Sequence, residues 1–289
     1  MKLEYNDKFG DDRHQVQNGL YIIPTPIGNL RDITLRAIDI LGSADIVACE
    51  DTRVAKHLLE TYDLHPKLIA YHDYNAAKQR PRLLKKLEEG NVVCLISDAG
   101  TPLIADPGYK LVQAATKAGS YVTALPGASA VLSGVLASGL PVDRFLFAGF
   151  PPPRKSARRR FLKEFEFCPT TLVFFESANR LSGSIYDMFE TFGNRQAAIV
   201  RELTKKFEEI KRDTLSGLST ELGGSPPPKG EIVVVVGPPA RKIASETEID
   251  EALCIELKEA SVKEAASKVS HALGVSRRLV YRRALDLKR

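Results

Sequence analysis

Five short segments hold most of the residues in this chain that can do chemistry: PTPIGNL at 24–30, SDAGTPLIADPG at 97–108, PGASA at 126–130, FFESANR at 174–180 and RELTKKFEE at 201–209. Proline fixes φ and glycine lets another group approach the backbone closely. The first three therefore read as rigid loops that can hold a small ligand through main-chain N–H and C=O groups. Asp98 is either a ligand contact or an Asx residue that only stabilises its own turn. Gly127 opens a helical pattern with Ser129 in its first turn, where free amides attract anions. The last two segments supply groups for proton transfer or charge stabilisation, namely Glu176, Arg201, Lys205 and Glu208. Glu176, beside Phe174 and Phe175, can act as a base or accept a hydrogen bond from Arg180 four residues on. The spacing does not choose between them, and the catalytic residue stays unassigned.

Other chemistries are not supported. The chain has no GxxxxGK[ST], GxGxxG, HExxH or CxxC string, and its five histidines (His14, His57, His65, His72, His271) lack ligand spacing, so no metal site is expected.

Each of the five segments follows an apolar run. The runs lie at 20–23, 45–48, 67–71, 92–97, 121–126, 145–150, 171–176, 197–202, 208–214 and 231–237, with amphipathic candidates such as 33–41, 82–90 and 180–193 between them. Runs this apolar imply strands covered by helices, hence an α/β architecture. In such sheets ligands bind beyond the strand C-termini. Five loops of this kind point to a cleft between two lobes. The expected organisation is a tail at 1–18, an αβα lobe at 19–141, a second at 142–240, and a linker plus a small helical domain at 241–289. The linker is read over 237–250, and two short helices hinged at Gly274 follow it. The polar N-terminus is unlike a signal peptide and no run reaches the ~20 apolar residues of a membrane span. The four cysteines read as buried free thiols, so a cytoplasmic location is expected.

The formal net charge of +5 is unevenly spread. Residues 154–163 contribute six positive charges and 277–289 a net five, leaving the remainder net −6. Two basic stretches on an acidic body suggest a located polyanion site. The phosphate contacts expected from them are Arg158, Arg159, Arg160, Arg282 and Arg283. Tyr281 either stacks on an exposed base or anchors the last helix.

The strings YIIPTPIGNLRDITLRA, EDTR at 50–53, SDAGTPLIADPG, LPGASA, and FFES with RELTKKFEE resemble the tetrapyrrole-methylase superfamily. Within it they resemble the branch that methylates the ribose 2′-hydroxyl of a cytidine in small-subunit ribosomal RNA. The likeness runs from about Leu20 to Gly237, and the C-terminal helices fit the same branch. One departure is Ala178-Asn179 before Arg180, where such proteins usually carry Pro-His. The resemblance implies S-adenosylmethionine as cofactor, a homodimer, and the small ribosomal subunit or its RNA as partner. It implies cofactor contact at Pro26, Asp98, Ala99, Gly100, Thr101, Ser129, Phe175, Leu203, Thr204 and Gly230, with Phe175 and Leu203 flanking the adenine. Substrate contact is implied at Asn29, Glu176, Arg180 and Arg201. The competing reading is a methyltransferase for a small molecule such as a tetrapyrrole.

Overall fold

The computed structural model describes residues 16–224, 226–240, 245–273 and 275–288. Most of the expected tail, residues 241–244 of the expected linker and the expected hinge at Gly274 lie outside the described residues. Two compact units divide at Pro238 and Pro239.

The first unit opens with β1 (Gly19–Ile22), α1 (Leu35–Gly42), β2 (Ile46–Cys49), α2 (Thr52–Thr61), β3 (Lys67–Ala70), α3 (Ala76–Glu88), β4 (Val92–Leu95), α4 (Tyr109–Lys117) and β5 (Val122–Ala124). These strands form one parallel sheet in the order β3-β2-β4-β1-β5. The three central strands are buried throughout while the edge strands β3 and β5 are partly open, as helices on both faces require. Ala37, Ile40 and Leu41 of α1 and Leu59 of α2 pack on one face, and Leu83 and Leu87 of α3 and Leu111 of α4 on the other. After β1 the chain leaves toward β2, and after β4 it leaves toward β5 on the opposite side. The adjacent C-terminal ends of β1 and β4 are thus a topological switch point, where an open sheet forms a crevice.

The helix α5 (Ala130–Ser138) then leads to β6 (Phe145–Phe147), α6 (Lys155–Lys163), β7 (Thr171–Ser177), α7 (Leu181–Phe192), β8 (Gln196–Arg201), β9 (Glu209–Thr214), α8 (Leu215–Gly223) and β10 (Glu231–Val236). The second sheet has the order β6-β7-β10-β8-β9 and is mixed, with only β6 and β7 parallel. Successive residues of a strand face opposite sides. Ile232, Val234 and Val236 of β10 meet α6, α7 and α8, whereas Val233 and Val235 meet Val131 and Val135 of α5. The helix that ends the first half of the sequence therefore covers the second sheet. A Cβ on Gly134 would stand 2.8 Å from Val233 Cγ1, so glycine sets the depth of that contact.

The second unit contains α9 (Glu246–Glu256), α10 (Val262–Leu273) and α11 (Arg277–Leu287) around Ile249, Leu253, Ala265, Val269, Val280 and Ala284. Among the described residues three helices stand where two were expected, because residues 246–250 of the expected linker begin α9. Ser245 and Glu248 form a reciprocal capping box, and Ile249 and Leu253, one turn apart, bury that helix. Among the described residues no helix is long and apolar enough to cross a membrane.

Candidate active site

Main-chain and hydroxyl bonds tie the strand-end loops into one wall. Thr25 and Gly100 each donate an N–H to the other's carbonyl at 2.9 Å, bridging the loops after β1 and β4. Thr25 Oγ1 donates to the Ser97 carbonyl at 3.0 Å, and Thr101 Oγ1 to the Ala128 carbonyl at 2.9 Å. A Cβ on Gly127 would lie 2.7 Å from Pro24 Cβ, so the loops after β1 and β5 touch backbone to ring. Gly28 is likewise held against Leu203, Thr204 and Lys205, which joins this wall to the loop after β8.

A cavity of ≈ 460 Å³ lies between this wall and the second sheet, within the usual range for a small-molecule site. Ile27, Val131, Phe150, Phe175 and Leu203 line it from both halves, together with Asp98, Gly100, Thr101 and the first turn of α5 at Ser129 and Ala130. Phe175 is fixed edge-on by Phe147 and Phe150 at centroid distances of 4.8 and 5.4 Å. Ser129 caps α5 through its side chain. Gly100 takes φ +78°, and a Cβ there would sit 3.2 Å from Ile27 Cγ2. Among the described residues, four of the five non-glycine residues with positive φ, Leu103, Ala105, Glu202 and Thr204, belong to loops around this cavity. Backbone held in that sparsely populated region concentrates at functional sites.

The ionisable groups lining the cavity are all acids: Asp98, Asp106, Glu176 and Glu231. Glu176 is buried and fully committed, as a 2.7 Å ion pair with Arg180 and as acceptor from Ser177 N–H and Ser184 Oγ. Of the two roles open to it in the sequence, the structure places it as Arg180's acceptor. Asp98 Oδ1 accepts from Asp51 N–H at 3.0 Å and also faces the cavity, so its loop-stabilising and lining roles coexist. Burial pushes Asp106 up to about 6, assisted by the Glu50 and Asp98 carboxylates. Burial, with Asp98 and Asp73, raises Glu50 as well.

Of the residues expected to hold a cofactor, eight line the cavity: Asp98, Ala99, Gly100, Thr101, Ser129, Phe175, Leu203 and Gly230. Pro26 and Thr204 do not. Pro26 is buried in its loop and the neighbouring Ile27 enters instead, while Thr204 Oγ1 lies against Gly28. Among substrate candidates, Asn29 is exposed and caps a 3₁₀ turn. Arg201 bonds Glu209 and the Lys229 carbonyl, and Lys205 bridges Glu202 and Glu231. Glu208 accepts from Thr204 N–H at 2.6 Å. Asp106, Ile27 and Phe150 escaped the sequence reading, although Asp106 stands inside its most distinctive loop.

The basic stretches need correction at three positions. Arg158 is buried and bonds Asp187 through two nitrogens, at 2.6 and 2.8 Å, and Arg159 also holds Asp187 at 2.7 Å. Arg283 bonds Asp250 and Glu246. These guanidiniums are spent on neighbouring carboxylates, so they are not free for phosphates. Among the described residues, Arg154, Arg160 and Lys163 around α6, and Arg277, Arg278 and Arg282 on α11, are exposed without an ion-pair partner. Tyr281 is 42% exposed, and Val280 and Ala284 anchor α11 in its place. Cys49 and Cys94 are buried, with thiols that burial pushes up to about 12, whereas Cys254 is exposed, contrary to expectation.

Comparison with known proteins adds to this geometry. Residues 19–219 match the family of Tetrapyrrole (Corrin/Porphyrin) Methylases, and residues 243–288 match the RsmI C-terminal HTH domain. The chain is 47% identical to the ribosomal RNA small subunit methyltransferase I of Mesorhizobium japonicum, over 94% of this chain and 93% of that one. It is 42% identical to the protein of the same name from Vibrio cholerae, over 95% and 98%, and 40% identical to that from Escherichia coli O157:H7, over 93% and 96%. Among solved structures, diphthine synthase aligns with a TM-score of 0.59 at 15% identity, covering 75% of this chain and 89% of that one. A uroporphyrin-III C-methyltransferase from Thermus thermophilus, complexed with S-adenyl homocysteine, aligns with a TM-score of 0.51 at 19% identity, covering 75% and 96%.

Proposed function

We propose, on the premise that this chain belongs to the tetrapyrrole methylase family and within it to the ribosomal RNA small subunit methyltransferase I group, that it transfers a methyl group from S-adenosylmethionine to the ribose 2′-hydroxyl of a cytidine in small-subunit (16S) rRNA. The observation that carries this reading is the agreement of both units with that group. The α/β unit and the helical unit each match, and the relatives align along more than nine-tenths of the chain.

The cavity fits the cofactor. The αL turn at Gly100 lets a ligand approach the main chain of residues 98–101 with no Cβ in the way, and the loop after β4 is pinned at Thr25 and Ala128. The first-turn amides of α5 that the Ser129 cap on Leu132 N–H leaves open suit a carboxylate, and Phe175 and Leu203 offer apolar surface to an adenine. The acidic lining suits a cation. Bound S-adenosylmethionine supplies an electrophilic methyl group on a sulfonium. The protein's part is to hold the hydroxyl in line with it, and positioning of this kind supplies on the order of 7–11 kcal/mol. The Glu176–Arg180 pair fixes the turn that places Ala178 in the lining and exposed Asn179 beside it, where Pro-His was expected. Arg154, Arg160 and Lys163, with Arg277, Arg278 and Arg282, serve as phosphate contacts, and Tyr281 as a stacking surface. We place the enzyme in the cytoplasm as a homodimer.

The test uses labelled S-adenosylmethionine and small subunits unmethylated at the target. Incorporation should coincide with resistance of one cytidine to alkaline cleavage; intact subunits that stay unlabelled would refute the reading. A tetrapyrrole substrate is the alternative, and deletion of 239–289 separates the two. RNA methylation should then fall steeply, whereas activity on a small molecule would survive.

A further inference from the structure

We propose that the ends of β2 and β3 hold the target base, with Glu50 and His72 reading its Watson–Crick edge as cytosine. This rests on the reading above and supplies the nucleotide selectivity that the cofactor cavity does not explain.

Two polar groups at this edge of the first sheet lack partners. The β2–β3 ladder ends with Tyr71 N–H donating to the Cys49 carbonyl at 2.7 Å, so Glu50 and His72 are the next residues on neighbouring strands. Asn75 fixes the imidazole. Its Oδ1 accepts from His72 N–H at 3.0 Å, and its Nδ2 donates to the Ala70 carbonyl at 3.0 Å and to His72 Nε2 at 3.1 Å. Nε2 is thereby the acceptor, and Nδ1 carries the hydrogen. That Nδ1 is buried and, among the described residues, without a partner. A buried donor left unmade is costly and calls for an acceptor. Glu50 makes the converse demand. Among the described residues no donor is bonded to its partly buried carboxylate, and Asp98, Asp73 and Asp51 crowd it, with His72 the one relieving neighbour.

One ligand edge satisfies both groups. Cytosine offers its N4 amino group as donor beside N3 as acceptor, and an acidic side chain accepting from N4 is a standard reader of that base. Uracil presents O4 and N3–H, which would set acceptor against acceptor at Glu50 and donor against donor at His72. Tyr74 is 99% exposed and stands edge to face with the His72 ring at 6.1 Å. So lightly held, it swings aside as the base enters and stacks on the base's face. The placement suits the reaction as well. Glu50 and His72 stand outside the cavity assigned to the cofactor, yet that cavity's Asp98 accepts from Asp51 N–H at 3.0 Å, so the loop after β2 borders it. β2 is the immediate neighbour of β4, at the usual strand spacing of about 4.8 Å. A base held there keeps its own ribose at the cavity's edge.

The experiment measures single-turnover methylation of reconstituted small subunits that carry either cytidine or uridine at the target. It compares full-length wild type with Glu50→Gln, His72→Ala and Tyr74→Ala, and titrates each protein with S-adenosylmethionine by calorimetry. Wild type should prefer cytidine by roughly 10–100-fold. Glu50→Gln, whose amide can donate to O4, should bring that preference to within about threefold, and His72→Ala should reduce it too. Tyr74→Ala should slow both substrates by a similar factor, roughly tenfold. Cofactor affinity should change less than about threefold in all three, which separates lost base reading from a distorted cleft. A wild type indifferent to the base, or a folded Glu50→Gln or His72→Ala variant that keeps the full preference, would overturn the proposal. So would a variant whose cofactor affinity falls as far as its rate. If Glu50→Gln does not fold, His72→Ala decides alone. Failure of wild type to methylate either subunit would count against the functional reading itself.

Discussion

At the scale of single residues, charge placement controls both stability and chemistry. Asp187 is 1% exposed and Arg158 8% at their side chains, so their bond lies in the low-dielectric interior. Removing one partner of such a pair strands the other: Asp187→Ala should cost about 3–5 kcal/mol through Arg158, read in urea unfolding. A loss below about 1 kcal/mol would mean that water reaches the guanidinium. Asp106 makes the opposite contribution. Its folded pKa of about 6 lies above the ordinary 3.8, so ionising it is harder in the folded state. Its contribution to stability is fullest below about pH 4 and declines as pH rises through 6. Asp106→Asn should therefore gain in melting temperature over wild type from pH 4 to pH 8, and a constant difference would contradict this. Cavity residues in the Gly/Pro loops were legible because unusual backbone demands unusual residues. Arg158 was misread because its partner lies 29 positions away in sequence, invisible to a count of local charge.

The elements set the geometry of these residues. The wall of the cavity depends on α5, whose first turn lines the cavity and whose Gly134 rests on Val233 of the central strand β10. Gly134→Leu should push the helix off the sheet, costing about 1–3 kcal/mol by overpacking. It should also weaken S-adenosylmethionine binding by roughly tenfold or more, since a displacement of the first turn is felt at the site. Calorimetry of the folded variant checks the second part, and unchanged affinity would show that the turn is held by its loops alone. The central strands were legible as apolar runs because a strand covered on both faces has little else to offer, whereas the charged, half-exposed β9 was marked only by its place in the alternation. The mixed direction of the second sheet was not, since residues do not record which neighbour a strand pairs with. Nor was the start of α3 at Ala76, because Pro81 inside the helix masked it, nor α9, whose capping box was read as a polar linker.

At the scale of the whole molecule, α5 also carries a surface that one copy leaves uncovered. It is apolar on every side: Val131, Gly134 and Val135 face the second sheet, while Leu132 and Leu136, one turn apart on the far side, are 51% and 72% exposed. A helix that is hydrophobic all round belongs in an interior. In a symmetric dimer the same patch meets itself, so a single helix face can supply both halves of the contact. A second copy is thus the occupant that needs no other surface. Leu136→Asp, alone or with Leu132→Asp, places a carboxylate in the centre of that contact, with little expected effect on folding because both residues already face solvent. Sedimentation should then shift from twice the 31.8 kDa chain mass to a single chain at micromolar concentration. Because the first turn of α5 lines the cavity proposed for S-adenosylmethionine, the monomer should bind it less tightly even though neither leucine lines the cavity. Wild type sedimenting as one chain, or a variant that still pairs, would place the partner of this helix elsewhere.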